Sequence, residues 1–200
     1  MRLELLERGH GRRNTFALGA MRTVARAEPD DVVKLSLYRP ELFGRPWIAL
    51  LRETMRGPSP WTPGERELLG AFTSRLNECP YCTTIHSGTA TMALRIPVDA
   101  ARLDNWRDGG FGPRLTAAFA LLAATNDGPD QLAAKELAAA PQGGLSDAEI
   151  EGALYVQFVF NVINRVANAL GFSWSTDADK LAAIQALHRL GYRLPRVLLR

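Results

Sequence analysis

Cys79-Pro80-Tyr81-Cys82-Thr83-Thr84-Ile85-His86 holds both cysteines of this 200-residue chain and one of its three histidines. The spacing predicts a helix in which positions 79, 82 and 86 follow i, i+3, i+7, so both sulfurs and the imidazole share one face. Pro80 suits the first helical turn, where its missing N–H costs nothing. Cys79 then lies at the positive end of the helix, where thiolate is favoured. Two thiols a turn apart can close a disulfide, and a histidine beside them can take a thiol proton. The pattern reads as an active dithiol.

Two blander readings compete. A C-x-x-C can be half of a structural zinc site, but a closed site needs four ligands and the chain has no further cysteines. His10 and His188 lie near the ends of the sequence, which leaves Cys79, Cys82, His86 and a carboxylate as the chief route to zinc. Buried cysteines can also be inert small hydrophobes, and a lone histidine is more often a satisfied core residue than a catalyst. The pairing of two cysteines with a histidine on the same face favours the redox reading.

Upstream, Thr62-Pro63-Gly64-Glu65 has the form of a capping box with proline at the first helical position. It opens a helix through Glu67, Leu68, Leu69, Phe72 and Leu76, and Asn77-Glu78 looks like its break. If the two helices meet there as a tight pair, Glu67 can approach His86, and a carboxylate against an imidazole raises its basicity and fixes its orientation. Standing alone, Glu67 reads first as a solvated helix-face charge, and on physics alone the choice between Glu65 and Glu67 stays open.

These residues carry a resemblance. Arg39-Pro40-Glu41-Leu42, Glu65-Arg66-Glu67-Leu68-Leu69, Ser74-Arg75-Leu76-Asn77 and Cys79-Pro80-Tyr81-Cys82 followed by His86 resemble the AhpD-like branch of the carboxymuconolactone decarboxylase family. Its redox pattern is a glutamate twelve residues before the first cysteine, then C-x-x-C-x-x-x-H, which Glu67, Cys79, Cys82 and His86 match. Gly144-Leu145-Ser146-Asp147-Ala148-Glu149-Ile150, Phe160-Asn161-Val162-Ile163-Asn164-Arg165 and Ala169-Leu170-Gly171 resemble the subgroup described as peroxidase-related. Together the matches span residues 32–172.

The resemblance implies an all-α, AhpD-like helical fold and a dithiol that reduces peroxides. It makes Cys82 the peroxidatic sulfur, Cys79 the resolving one, His86 the base and Glu67 its support. It also points to a homo-oligomer, commonly a trimer or hexamer. One departure stands out. The best-studied branch has a second histidine immediately before the second cysteine, where this chain has Tyr81, so a relay needing both imidazoles is incomplete here. The decarboxylases of the wider family lack the dithiol, which argues against decarboxylation.

With 46% hydrophobic residues the chain can bury a substantial core, and a single domain over 1–200 is the simplest expectation. A lone C-x-x-C fits a reducing cytoplasm better than a disulfide-built secreted scaffold, so the expected location is cytoplasmic, with no cleaved leader. No apolar run approaches the ~18 residues of a membrane helix. Charge is uneven: residues 1–26 hold six arginines against Glu4 and Glu7, and residues 189–200 hold four arginines and no acid. These basic arms read as solvated ends or wraps around a neighbouring subunit. No nucleic-acid motif or aromatic-interleaved basic surface accompanies them.

Proline and glycine separate helical blocks, and no stretch alternates like a strand. The expected helices cover 30–38, 40–56, 62–77, 79–94, 97–107, 113–126, 129–139, 146–170 and 177–189. A shift of 84 positions exposes a faint internal repeat: Thr62 falls on Ser146, Glu65 on Glu149, Glu67 on Glu151 and Asn77 on Asn161. Cys79, Cys82 and His86 fall on Ile163, Val166 and Leu170, so a second copy would keep the scaffold without the chemistry. Two amphipathic helices can also match this well by chance.

Residues 153–163 are apolar almost all round, as in a helix buried on several sides or against another subunit. Asn161, Asn164, Arg165 and Asn168 then form a polar stripe that either lines a peroxide pocket or locks helices together. Tyr81, Asn161, Asn164 and Arg165 are therefore candidate pocket or relay residues beside the catalytic candidates Cys82, Cys79, His86 and Glu67. The expected activity is reduction of a hydroperoxide by a thiol-dependent peroxidase. It needs no metal and no cofactor beyond the redox-active disulfide, which an external dithiol electron donor reopens. The alternatives are a thiol-disulfide oxidoreductase that never meets peroxide, and a non-catalytic redox sensor or zinc-stabilised helical module.

Overall fold

The structure, a computed structural model, describes residues 4, 8–127 and 130–193. Much of both basic arms, at 1–3, 5–7 and 194–200, lies outside the described residues. The described residues contain ten α-helices, one π-helical turn and no strand. They are α1 (Arg12–Ala25), α2 (Asp31–Tyr38), α3 (Arg45–Arg56), α4 (Pro63–Leu76), α5 (Pro80–Leu94), α6 (Ala100–Asp104), α7 (Pro113–Asp127), α8 (Asp130–Ala139), α9 (Asp147–Leu170) and α10 (Asp177–Leu190). Contacts divide the chain into two compact units, residues 57–165 and the remainder from both ends.

In the 57–165 unit, α4 begins as its sequence dictates. The Thr62 hydroxyl accepts from the Glu65 N–H, the Glu65 carboxylate accepts from the Thr62 N–H at 2.7 Å, and Pro63 stands in the first turn. Reciprocal capping of this kind satisfies two orphan backbone donors and contributes about 1 kcal/mol. Ser146 and Glu149 build the same box at the start of α9, with Ser146 N–H to Glu149 Oε2 at 2.8 Å. α4 packs chiefly on α5, and also on α6 and α7. Its inner face carries Leu68, Leu69 and Phe72, all buried. Phe72 stacks on Phe119 of α7 with ring centres 4.3 Å apart, and Trp106 meets both rings edge-on. Aromatic pairs of this geometry add about 0.5–1.5 kcal/mol beyond the area they bury.

The helix expected over 97–107 is confined to Ala100–Asp104. Asp99 caps it by accepting from the Arg102 N–H, and the Arg102 guanidinium donates to the carbonyls of Pro97 and Gly109, which holds the chain in a loop on either side.

In the other unit, Leu18 of α1 and Leu37 of α2 form a small core with Val33 and Ile48. The segment expected as one helix over 40–56 starts instead with a π-helical turn, Pro40–Gly44, before α3. Buried Lys34 meets Asp31 at 3.2 Å and Glu28 at 3.4 Å, while Asp31 Oδ2 accepts from the Ser173 N–H. The Thr176 side chain caps α10. No described helix is long and apolar enough to cross a membrane.

Candidate active site

The turn between α4 and α5 decides where the sulfurs sit. Asn77 closes α4, Glu78 adopts a left-handed conformation (φ 50°), and the Cys79 N–H returns to the Ser74 carbonyl at 2.9 Å while the Glu78 N–H reaches Arg75 O at 3.1 Å. This is a Schellman closure with glutamate where glycine is usual. Cys79 ends one helix and caps the next, with Pro80 in the first turn of α5. Three residues therefore reverse the chain, and α5 folds back along α4.

That reversal brings Glu67 to His86. Glu67 Oε2 lies 2.6 Å from His86 Nδ1, and only 1% of Glu67 and 8% of His86 are exposed. A carboxylate this buried needs a donor, so the proton of a neutral His86 belongs on Nδ1, which leaves Nε2 as the basic nitrogen. Phe160 of α9 presses its ring edge-on against the imidazole, with centres 4.5 Å apart. The close approach of Phe160 depends on Gly70: a Cβ there would lie 2.4 Å from the Phe160 Cζ.

Cys79 and Cys82 are free thiols, 1% and 2% exposed. The Cys82 thiol beside Cys79 holds the Cys79 pKa below the ordinary thiol value, helped by the backbone N–H groups of Cys82 and Tyr81 and by the Asn164 amide, against burial, which pushes it up. Tyr81, itself buried, thus reaches the sulfur through its main chain.

Sequence pattern places Asn161, Asn164 and Arg165 on one stripe, and the structure distributes them along a network. Asn77 Nδ2 donates to Asn161 Oδ1 at 2.7 Å and to Asn164 Oδ1 at 3.0 Å, and Asn126 Nδ2 donates to Asn77 Oδ1 at 3.1 Å. Asn164 Nδ2 donates to Ser74 Oγ at 3.1 Å. Exposed Arg165 donates to the Asn161 carbonyl at 2.9 Å and to its Oδ1 at 3.4 Å. Ser74 and Asn77 belong to the stretch Ser74-Arg75-Leu76-Asn77, and the 84-residue shift pairs Asn77 with Asn161, but no sequence signal joins them to Asn126. An open cleft of about 510 Å³ beside this region is lined by Phe72, Leu76, Pro80, Leu103 and Trp106, with the Arg75–Asp104 ion pair in its wall. Among the described residues no group of three or more histidine, cysteine, aspartate or glutamate side chains is placed to hold a metal ion.

The fold has counterparts among solved structures. A peroxidase-related protein from Silicibacter sp. TM1040 matches with a TM-score of 0.69 at 20% identity, over 89% of this chain and 93% of that one. The alkylhydroperoxidase AhpD core of a peroxidase-related protein from Ralstonia eutropha JMP134 matches with a TM-score of 0.67 at 20% identity, over 88% and 92%. This chain has the AhpD-core fold. No protein-family model and no curated protein matches it. Within this fold Cys79 and Cys82 stand at the start of α5, and Glu67 lies within hydrogen-bonding distance of His86.

Proposed function

We propose that this protein is a thiol-dependent peroxidase in which Cys79 and Cys82 reduce a hydroperoxide. The observation that carries the reading is the buried Glu67–His86 pair at 2.6 Å, with His86 one turn beyond Cys82 on the helix that Cys79 caps. A charged relay of this kind has no packing purpose that an apolar pair would not serve at lower cost.

The reduced pair rests with the proton on Cys82 and the negative charge favoured on Cys79. His86 Nε2 takes the Cys82 proton, and Glu67 stabilises the imidazolium that forms. Cys82 thiolate attacks the distal peroxide oxygen, the O–O bond breaks, and Cys82 becomes a sulfenic acid. The departing alkoxide recovers the proton from His86 and leaves as alcohol. Cys79 thiolate then attacks the Cys82 sulfur, the S–O bond breaks, and hydroxide leaves as the disulfide forms. Two electrons have passed from the two sulfurs to the peroxide, and an external dithiol restores them. The cleft against Pro80, whose apolar floor is edged by Arg75, Glu78 and Asp104, offers an approach for the substrate. The chain works as a homo-oligomer, a trimer or hexamer, and as a cytoplasmic protein.

The test is peroxide consumption by reduced protein with a dithiol as electron donor. Cys82→Ser should abolish turnover, and Cys79→Ser should leave a sulfenic acid on Cys82 that dimedone traps. A sulfenic acid trapped only on Cys79 would reverse the two roles. Disulfide exchange with dithiols but no reaction with any peroxide would make the protein a thiol-disulfide oxidoreductase instead.

A further inference from the structure

The hydrogen bond between His86 Nδ1 and Glu67 Oε2 fixes where one atom of the imidazole sits, but not the plane of the ring. The second torsion of a histidine side chain has no sharp staggered wells, so packing must set that plane. Phe160 of α9 supplies the contact. Its ring lies at 79° to the imidazole with centres 4.5 Å apart, and only 1% of it is exposed. α4 backs the phenyl ring: a Cβ on Gly70 would lie less than 3.0 Å from Cζ, Cε1 and Cε2 of Phe160, so the far end of the ring rests on bare backbone. Glu67 and Gly70 stand one turn apart on one side of α4, and the same helix thus hydrogen-bonds the imidazole and seats the ring that packs against it. A second rung keeps the seat in register. Four residues further along both helices, Asn164 Nδ2 donates to Ser74 Oγ at 3.1 Å, and Ser74 donates to the Gly70 carbonyl at 2.8 Å. Asn164 and Ser74 are fully buried, so a slide of α9 that carried Phe160 off Gly70 would strand polar groups away from water. The ring also keeps that side of the Glu67–His86 bond dry, and exclusion of water strengthens a hydrogen bond to a carboxylate.

We propose that Phe160 is a positioning residue for His86, seated on Gly70 and held in register by the Asn164–Ser74 bond. Glu67 holds Nδ1, and Phe160 fixes the ring plane in which Nε2 meets the Cys82 thiol. The assignment deepens the dithiol reading and rests on it, since it takes His86 as the base. α9 then acts on the reaction through the imidazole, by setting the angle at which a base carried on α5 works.

The experiment is a double-mutant cycle on the alkylation of Cys82 by iodoacetamide, followed against pH by mass spectrometry in a Cys79→Ser background. Phe160→Leu keeps an apolar side chain but frees the imidazole plane, and Phe160→Met does so at closer volume. Each should slow alkylation near neutral pH by about tenfold, part of the ~10²–10⁴ that a well-placed general base supplies. His86→Gln should slow it more, and adding Phe160→Leu to His86→Gln should change the rate no further, because the phenyl ring acts through the imidazole. A folded Phe160→Leu protein whose profile matches its parent's overturns the proposal. Equal slowing with and without His86 overturns it too, because a ring that only fills the core would give that result. If Phe160→Leu fails to fold, Phe160→Met decides on the same terms. Peroxide takes no part in this readout, so the role of Phe160 can fail while the protein still consumes peroxide, and the peroxidase reading can fail while His86 still governs the Cys82 thiol.

Discussion

Asn77 donates to Asn161 at 2.7 Å across 84 positions of sequence, and the caps at the other ends of the same two helices are joined as well. Arg114 donates both to Glu65 at 2.6 Å and to Glu149, which are also 84 positions apart, and its guanidinium lies over the Trp61 ring. Equivalent residues therefore meet at the starts of α4 and α9 and again where α4 ends beside the middle of α9, so the two helices run side by side in the same direction. The repeat is a structural relation, in which two like helices share one arginine at their starts and one amide network further along.

Acid should reveal the arginine bridge. The Glu149 carboxyl is held down at about 2 from an ordinary 4.5, first by the Ser146 backbone N–H, which burial opposes next most strongly, and then by Arg114 and the Ser146 hydroxyl. A depressed carboxylate stabilises the fold above its unfolded pKa and loses that contribution as pH falls through its folded value. The melting temperature should therefore fall between about pH 4.5 and 2 more steeply in the wild type than in Glu149→Gln. Parallel curves would show that the bridge does not contribute.

Gly70→Ala should destabilise the fold by about 1–3 kcal/mol, the usual cost of overpacking, because Phe160 cannot yield without leaving the edge of the His86 ring. Thermal unfolding measures the cost, and slower thiol alkylation at neutral pH should accompany it. An unchanged melting temperature would mean that the ring moves freely.

The neighbouring glutamates should separate cleanly. Glu67→Gln removes the carboxylate that supports His86, so the pH at which Cys82 becomes reactive should rise. Glu65→Gln weakens a cap and the Arg114 contact, so it should cost on the order of 1 kcal/mol of stability and leave that profile alone. Alkylation rate against pH for both variants is the measurement. Coincident profiles would remove Glu67 from the relay.

α9 presents Tyr155 and Phe158 outward, each 56% exposed, on the apolar stretch whose sequence suggests a subunit contact. Light scattering should give the mass of a trimer or hexamer, and Tyr155→Lys with Phe158→Lys should lower it. A wild-type monomer at micromolar concentration would contradict the proposed assembly.

Local chemistry made much of this legible from sequence. Thr62–Glu65 and Ser146–Glu149 announce two helix starts, Pro80 a third, and Asn77-Glu78 the reversal between α4 and α5. α1 is silent in sequence because Gly11 offers no capping side chain and few apolar residues beyond Ala17 and Leu18 turn inward. The network of Ser74, Asn77 and Asn126 is silent for another reason. Its bonds join residues 49 to 90 positions apart, which no local period encodes. Gly70 is similar, since its need for space appears only once Phe160 is in place.

The central claim is that Cys79 and Cys82 jointly reduce a hydroperoxide. Reduced protein given one equivalent of an organic hydroperoxide, with no donor present, should consume it and lose both thiols. The intact mass should fall by two hydrogens, and a single peptide should carry a Cys79–Cys82 disulfide. Unconsumed peroxide with both thiols intact would contradict the claim.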